Sequence, residues 1–285
     1  MDKQLQSYLE NKKNIINKAL DRYLYKPGKY PALVHQAMRY SVFSGGKRLR
    51  AILVNAAFYV CSSGKVNPKQ REAMLAAASA VEMIHASSLI HDDLPAIDND
   101  DCRRGKPSCH RKYNEAIAIV AGDALLIRAF EVLAGTGDCR LVKELAAASG
   151  TMGMIGGQVV DIEGLGRNEK KEKTIKKLDY VHLFKTAALI RVSLRLGAIV
   201  AGASAKKIHA LDAYGRNIGR VFQITDDIID YGTDRGINYP DVYGLVKSKE
   251  KVRKLTEKAF KALEIIGPKA IILKQLAQYL VDRKA

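Results

Sequence analysis

Apolar positions recur along this chain with a helical period almost from end to end. Leu33, Val34, Ala37 and Met38 fall at i, i+1, i+4 and i+5, which places them on one stripe of a helix. Ala51 to Val60 and Ala73 to Leu89 are runs of Ala and bulky apolar residues, whose small members let helices approach closely. Further helices are predicted over Ala116 to Leu133, Leu141 to Glu163, Ile175 to Ala201, Ile208 to Ile229, Val252 to Ile266 and Ala270 to Val281. Strand-like alternation is scarce. Breaks fall at Lys26-Pro27-Gly28, Ser62-Ser63-Gly64, Gly105-Lys106-Pro107, Gly135-Thr136-Gly137, Gly164 to Asn168, Tyr231 to Pro240 and Gly267-Pro268. None reads as a linker, so the expectation is an all-α fold, one helical bundle domain over residues 1–285.

Composition changes that picture only through charge. The 285 residues carry 47 Lys and Arg against 30 Asp and Glu, a net +17, while 47% apolar content marks an ordinary globular chain. Such an excess points to nucleic acid, a membrane surface or small anions. Aromatic residues do not interleave with the basic ones and no zinc-finger spacing exists, so no nucleic-acid partner is expected. The N-terminus is polar without an apolar signal region, and the longest apolar run, Ala73 to Ile90, contains Glu82 and His85. No transmembrane segment is therefore expected, and a cytoplasmic location fits. The four Cys read as free thiols. Cys102, Cys109 and His110 lack the paired spacing of a zinc site. The run from Glu169 to Lys177 reads as a solvated surface.

The informative residues are acidic. Asp92, Asp93 and Asp98 follow an apolar helix, and Asp226, Asp227 and Asp230 lie inside another. Asp226 and Asp230 are i and i+4, so they share a helical face. Pro95 ends or bends the first helix and lets Asp98 curl back towards Asp92. Clustered carboxylates repel and are costly to desolvate together. An oxygen-only donor set in two places suits Mg²⁺ carrying water and substrate phosphate. Cations that could hold the phosphate stand nearby: Arg103 and Arg104 follow the first cluster, Lys47 and Arg50 follow Gly45-Gly46 at a helix start, and Lys185 precedes Thr186.

With these residues in view, the chain resembles the trans-isoprenyl diphosphate synthases, the farnesyl and geranylgeranyl diphosphate synthase family. The segments that carry the resemblance are Gly45 to Arg50, Glu82 to Pro107, Gly122 to Leu126, Gly156 to Asp161, Lys185-Thr186 and Phe222 to Asp230. The resemblance implies a helical bundle around a central cavity, and a homodimer. It implies that isopentenyl diphosphate condenses with an allylic diphosphate and pyrophosphate is released. Asp92, Asp93, Asp98, Asp226, Asp227 and Asp230 would bind Mg²⁺. Arg103, Lys185, Thr186 and Gln223 would contact the allylic substrate, and Lys47, Arg50, His85 and Arg104 would hold isopentenyl diphosphate. Asp92, Asp93, Asp226, Arg103 and Lys185 carry the catalytic work of steadying the leaving group, with His91 behind them and Asp161 a candidate cavity residue.

The chain departs from the family after the second acidic motif. The loop Tyr231 to Pro240 is short and lacks the usual lysines, with Arg235 as the substitute cation. A weakly active or non-catalytic partner subunit is the rival reading on that ground. A class I terpene cyclase is disfavoured because its second motif would normally carry Asn, Ser and Glu. Ser87 and Ser88 lie about one turn below the metal motif and Ile84 another turn down. Farnesyl-type relatives carry an aromatic floor at the position of Ser87. The small Ser predicts that the chain grows past it to geranylgeranyl diphosphate.

Overall fold

The computed structural model describes residues 3–164, 171–232 and 238–282. The described chain is helical apart from one short hairpin, β1 (Cys102–Arg103) and β2 (Lys106–Pro107). It divides into two compact units, one of residues 2–55 and 66–142, the other chiefly of residues 56–65 and 143–285.

The first unit holds α1 (Lys3–Tyr23), α2 (Ala32–Phe43), the start of α3 (Leu49–Cys61), α4 (Pro68–Asp92), the hairpin, α5 (Cys109–Lys112) and α6 (Glu115–Ala134). Its centre is α4. Asn67 opens that helix with a capping box: its side chain accepts from Gln70 N–H and Gln70 reaches back, with Pro68 in the first turn. Nearly every residue from Met74 to Ile90 is shielded, and α4 packs along the small-residue face of α6 at Ala118, Ala121, Gly122, Leu125 and Ala129. Among the described helices, α4 alone is long and apolar enough to cross a membrane, yet 67% of that apolar window is buried inside the protein. The helix α1 escaped the sequence reading. Its buried face is only Leu5, Ile16, Ala19 and Leu20, thinly spread among Lys and Asn.

The second unit holds α7 (Cys139–Ser149) from Lys143 on, α8 (Met154–Ile162), α9 (Lys171–Val181), α10 (Ala187–Val200), α11 (Ala205–Ile229), α12 (Tyr239–Tyr243), α13 (Leu245–Ala262) and α14 (Ile271–Val281). Two expected helices prove more complex. Leu141 to Glu163 is interrupted at Gly150–Gly153, where a Cβ on Gly153 would stand 2.2 Å from the Ala148 carbonyl oxygen. Ile175 to Ala201 contains a wide π turn, His182–Thr186, between α9 and α10. The helix α13 stops at Ala262, and a 3₁₀ turn over Glu264–Ala270 follows, with Gly267 at φ +76°. The centre is the α10–α11 pair, where Gly219 allows close contact: a Cβ there would lie 2.3 Å from Ala187 Cβ. Tyr214 is fully buried, and its hydroxyl donates to the Leu273 carbonyl at 2.6 Å, tying α11 to α14.

Substituting Gly219→Ala should therefore force α10 and α11 apart. A loss of about 1–3 kcal/mol in urea-unfolding stability is expected, and an unchanged midpoint would show that the helices can separate freely.

Candidate active site

The first half of the site begins where α4 ends. Asp92 is the last helical residue and Asp93 caps the helix. Pro95 cannot continue it, so Leu94 N–H donates to the His91 carbonyl at 3.2 Å and Asp98 N–H returns to the Asp92 carbonyl at 2.9 Å. Asp98 thus folds back to Asp92, as Pro95 suggested. Asp93 turns inward and is 3% exposed. Arg103 grips it, with Nε donating to Oδ1 at 2.8 Å and Nη2 closing a second bond. The same Nη2 meets Asp100 at 2.8 Å. Burial pushes the Asp93 carboxyl above its ordinary value, against the pull of Arg103.

The hairpin aims the arginines. Arg104 (φ +55°) and Gly105 (φ +73°) form its two-residue turn, and a positive φ at both matches the twist of the strands. Arg104 Nη1 then donates to the Gly45 carbonyl at 2.7 Å. Its guanidinium lies over Gly46, where a Cβ would come within 2.6 Å of Nη1. The Gly45-Gly46 turn, at φ +120° and +106°, is a seat for Arg104 as well as an entry to α3.

Beside it, Arg50 Nη1 lies 3.2 Å from His85 Nε2. Arginine can only donate, so this histidine nitrogen accepts and the ring is neutral. Burial first, then Arg50, Arg104, Arg48 and Arg103, hold His85 well below its ordinary pKa. Burial likewise lowers Arg50 and Arg104. The sequence reading missed the support beneath. Arg48 and Glu82, each 4% accessible in the side chain, face each other at 3.6 Å, and Glu82 accepts from Ala51 N–H at 3.2 Å. Glu82 in an apolar run was the available signal. A pocket with about 450 Å³ of empty space is lined by Arg48, Glu82, His85, Asp93, Arg103 and Arg104 among others. Lys47 stands exposed in the same loop.

The product-length candidates lie deeper on α4. Ser87 is buried and donates to the Gly122 carbonyl on α6 at 2.7 Å, Ser88 bonds back to the His85 carbonyl at 3.0 Å, and Ile84 is fully enclosed. His91 covers Gly122: its Nε2 would lie 2.1 Å from a Cβ there and sits 3.2 Å from the Ile119 carbonyl. His91 thus locks α4 to α6 below the aspartates.

In the second unit the π turn presents Lys185 and Thr186 together. Lys185 Nζ donates to Asp161 at 2.5 Å, and Gly157 makes the approach possible, since its Cβ would lie 2.1 Å from Lys185 N. Thr186 Oγ1 donates to Gln223 Oε1 at 2.8 Å, and Gln223 Nε2 to Asp227 Oδ1 at 3.2 Å. The other Asp227 oxygen accepts from Tyr239 N–H at 2.9 Å and lies 3.1 Å from buried His182 Nε2. Asp227 is thereby a tie between the π turn, α11 and α12. Asp226 and Asp230 occupy the half-exposed side of α11 one turn apart, with Asp230 N–H on the Asp226 carbonyl at 2.9 Å. His182 and Tyr239 went unnoticed in the sequence because their partners are remote. Arg235 lies outside the described residues.

Among the described residues, no three His, Cys, Asp or Glu side chains converge enough to hold a metal alone. Cys102 and Cys109 are free, and His110 Nδ1 is taken by Ser108 Oγ at 3.0 Å. The donor pairs Asp92–Asp98 and Asp226–Asp230 are oxygen-only, which fits a hydrated Mg²⁺ that completes its shell with phosphate.

The polyprenyl synthetase family profile matches residues 31–238. The chain is 42% identical to the heterodimeric geranylgeranyl pyrophosphate synthase large subunit 1, chloroplastic, of Arabidopsis thaliana, covering 98% of this chain and 79% of that one. Its identity to the chloroplastic geranylgeranyl pyrophosphate synthase of Capsicum annuum is also 42%, over 97% and 78% of the two chains. An apo crystal structure of an FPP/GFPP synthase from Zymomonas mobilis superposes with a TM-score of 0.86 at 35% identity, covering 98% and 99%. A geranyltranstransferase from Thermotoga maritima gives 0.83 at 31%, covering 97% and 100%. The chain belongs to the polyprenyl synthetase family. It is a trans-prenyltransferase with the isoprenoid synthase fold. The two plant relatives are chloroplastic, so the cytoplasmic placement expected from the N-terminus gains no support from them.

The suppressed His85 pKa has a consequence for stability. The unfolded chain protonates near pH 6.5 and the folded one only far below it. The unfolded state takes up the proton first, so His85's contribution is full above about pH 6.5 and falls as pH drops beneath that value. In urea titrations at about pH 7 and about pH 5.5, the wild type should lose more stability over the interval than His85→Gln. Asp93 is common to both and cancels. Equal losses would show that His85 protonates without penalty.

Proposed function

We propose that this prenyltransferase uses Mg²⁺ to condense isopentenyl diphosphate with an allylic diphosphate, and that its main product is geranylgeranyl rather than farnesyl diphosphate. The observation that carries the reading is the surplus of guanidinium charge around a neutral His85, a built receptor for a diphosphate. Lys47, Arg50, His85 and Arg104 hold isopentenyl diphosphate, and Arg103, Lys185, Thr186 and Gln223 meet the allylic diphosphate. Asp92 and Asp98, and Asp226 and Asp230, are the carboxylates that would hold Mg²⁺, with Asp93 and Asp227 steadying Arg103 and α11. Bound there, the metal supplies charge stabilisation for the pyrophosphate. The allylic C–O bond breaks and pyrophosphate leaves with the electron pair. The isopentenyl double bond provides the pair for the new C–C bond, and a proton is lost to the pyrophosphate. No side-chain nucleophile is required; the protein supplies positioning and electrostatics.

Product length follows from Ser87, Ser88 and Ile84. Ser87 leaves a small residue at the position where farnesyl-type relatives carry an aromatic floor. Names of the plant relatives agree with the longer product. Purified protein given Mg²⁺, isopentenyl diphosphate and dimethylallyl, geranyl or farnesyl diphosphate is expected to release geranylgeranyl diphosphate. Ser87→Tyr is expected to shorten it towards farnesyl diphosphate. Failure to condense with any allylic partner would favour a partner-dependent subunit. An unchanged product from a folded Ser87→Tyr would remove the floor argument.

A second copy of the chain is the proposed occupant of the exposed face of α6. Val120 and Ile127, 52% and 66% exposed, lie opposite that helix's buried face, with Ile119, 45% exposed, to one side. One apolar stripe serving both protomers is what a two-fold interface requires. Light scattering on the eluted protein should report about twice 31.4 kDa. Ile127→Lys should return it to the monomer mass; a monomeric wild type would exclude the interface.

A further inference from the structure

Net charge is not spread evenly. The helix α13 carries seven Lys or Arg against two Glu in its 18 residues. Lys247, Lys251, Lys254, Lys258 and Lys261 recur at spacings of four, three, four and three. That spacing aligns them on one stripe of about 21 Å, away from the buried face of Ser248, Val252, Leu255 and Ala259. Lys254 meets Glu250 at 2.6 Å and Lys247 is attracted to the same carboxylate, whereas Lys251, Lys258 and Lys261 form no ion pair among the described residues. Lysine stems also frame an open hollow of about 260 Å³ over Leu255. Like charges at this spacing repel within a helix, and an anionic surface would relieve that repulsion.

We propose that this lysine stripe docks the protein on an anionic lipid surface. The chemistry favours a bilayer over nucleic acid in three respects. Six of the seven basic residues are Lys, a compact point charge, where base and phosphate recognition would draw on the forked Arg. The stripe is a single straight row, suited to a plane of headgroups. Exposed aliphatic residues flank it along the chain: Val246 is 81% exposed at its start, and Ile265 and Ile271 are 50% and 60% exposed beyond its end. Such side chains enter the headgroup boundary, as in interfacial helices. None of these residues is among those proposed to hold the metal or the diphosphates, so the docking is separable from catalysis.

The test is flotation of the full-length protein with vesicles of pure phosphatidylcholine, or with a third of that lipid replaced by phosphatidylglycerol. Binding is expected only to the anionic vesicles, and it should vanish near 1 M salt, where screening acts over about 3 Å. Replacing all five lysines of the stripe by Gln should weaken binding about tenfold or more, with the prenyltransferase rate on soluble substrates unchanged. Lys251→Glu with Lys258→Glu is the smaller variant, checked by its melting curve, and should also lose binding. No binding to anionic vesicles, undiminished binding by folded variants, or stronger binding to duplex DNA at equal phosphate would each overturn the proposal.

Discussion

A carboxylate buried among arginines underlies the guanidinium cluster of the first unit. Arg48, Arg50, Arg103 and Arg104 all press on His85, and four such cations would disperse without internal anchors. Glu82 anchors Arg48 from inside α4, and Asp93 anchors Arg103 from the end of the same helix. Arg50 and Arg104 face His85 and a backbone carbonyl instead, so their charge is not cancelled locally. Two guanidiniums are thus committed to the frame by direct carboxylate contact, and two are not. A buried pair such as Arg48–Glu82 adds little net stability, because desolvation offsets attraction. Removing one partner alone would cost about 3–5 kcal/mol. Its value lies in fixing where α3 starts, and hence where Arg50 points.

The two acidic motifs follow one geometric rule. Adjacent residues on a helix project about 100° apart, so a DD pair cannot present both carboxylates to the same side. In each motif the second Asp turns inward. Asp93 takes Arg103, and Asp227 takes Gln223, Tyr239 N–H and His182. The outward carboxylates are then Asp92 with Asp98, and Asp226 with Asp230. Repulsion within each motif falls, because one carboxylate of each DD pair is already satisfied by protein donors. The π turn extends this economy. Its wider winding offsets Lys185 and Thr186 from the α9 register, and local π turns of this kind recur at functional sites.

Most of the helices and the outward aspartates were legible because they are local properties. Periodic apolar residues, the i and i+4 relation of Asp226 and Asp230, and the helix-stopping effect of Pro95 all operate within a few residues. The hairpin at Cys102–Pro107 was not legible, since two-residue strands have no alternation to detect and only Gly105 hinted at a turn. Nor was the inward role of Asp227, which depends on Tyr239 twelve positions on and His182 on another helix. Gly46 read as a turn residue, but its second role, under Arg104, required knowing where residue 104 falls. His85 read as a phosphate contact by resemblance, and its neutral state comes from burial and four arginines that sequence distance conceals.

The net charge of +17 first suggested a large polyanion. Its distribution separates two physical tasks. Cations that meet a small diphosphate must be few, fixed and partly desolvated, because each is held by a specific carbonyl, ring nitrogen or carboxylate. Arg104 on Gly45, Arg50 on His85 and Lys185 on Asp161 are each held in that way. Cations that meet an extended surface need none of it: they must be numerous, solvated and aligned, as on α13. The same excess charge therefore acts at two ranges. Ordered arginines gain from the low dielectric around His85, and exposed lysines act through solvent within a Debye length of about 8–10 Å at physiological salt. Raising salt should thus separate them physically, since screening weakens the exposed lysine stripe more than the half-buried Arg50 beside His85.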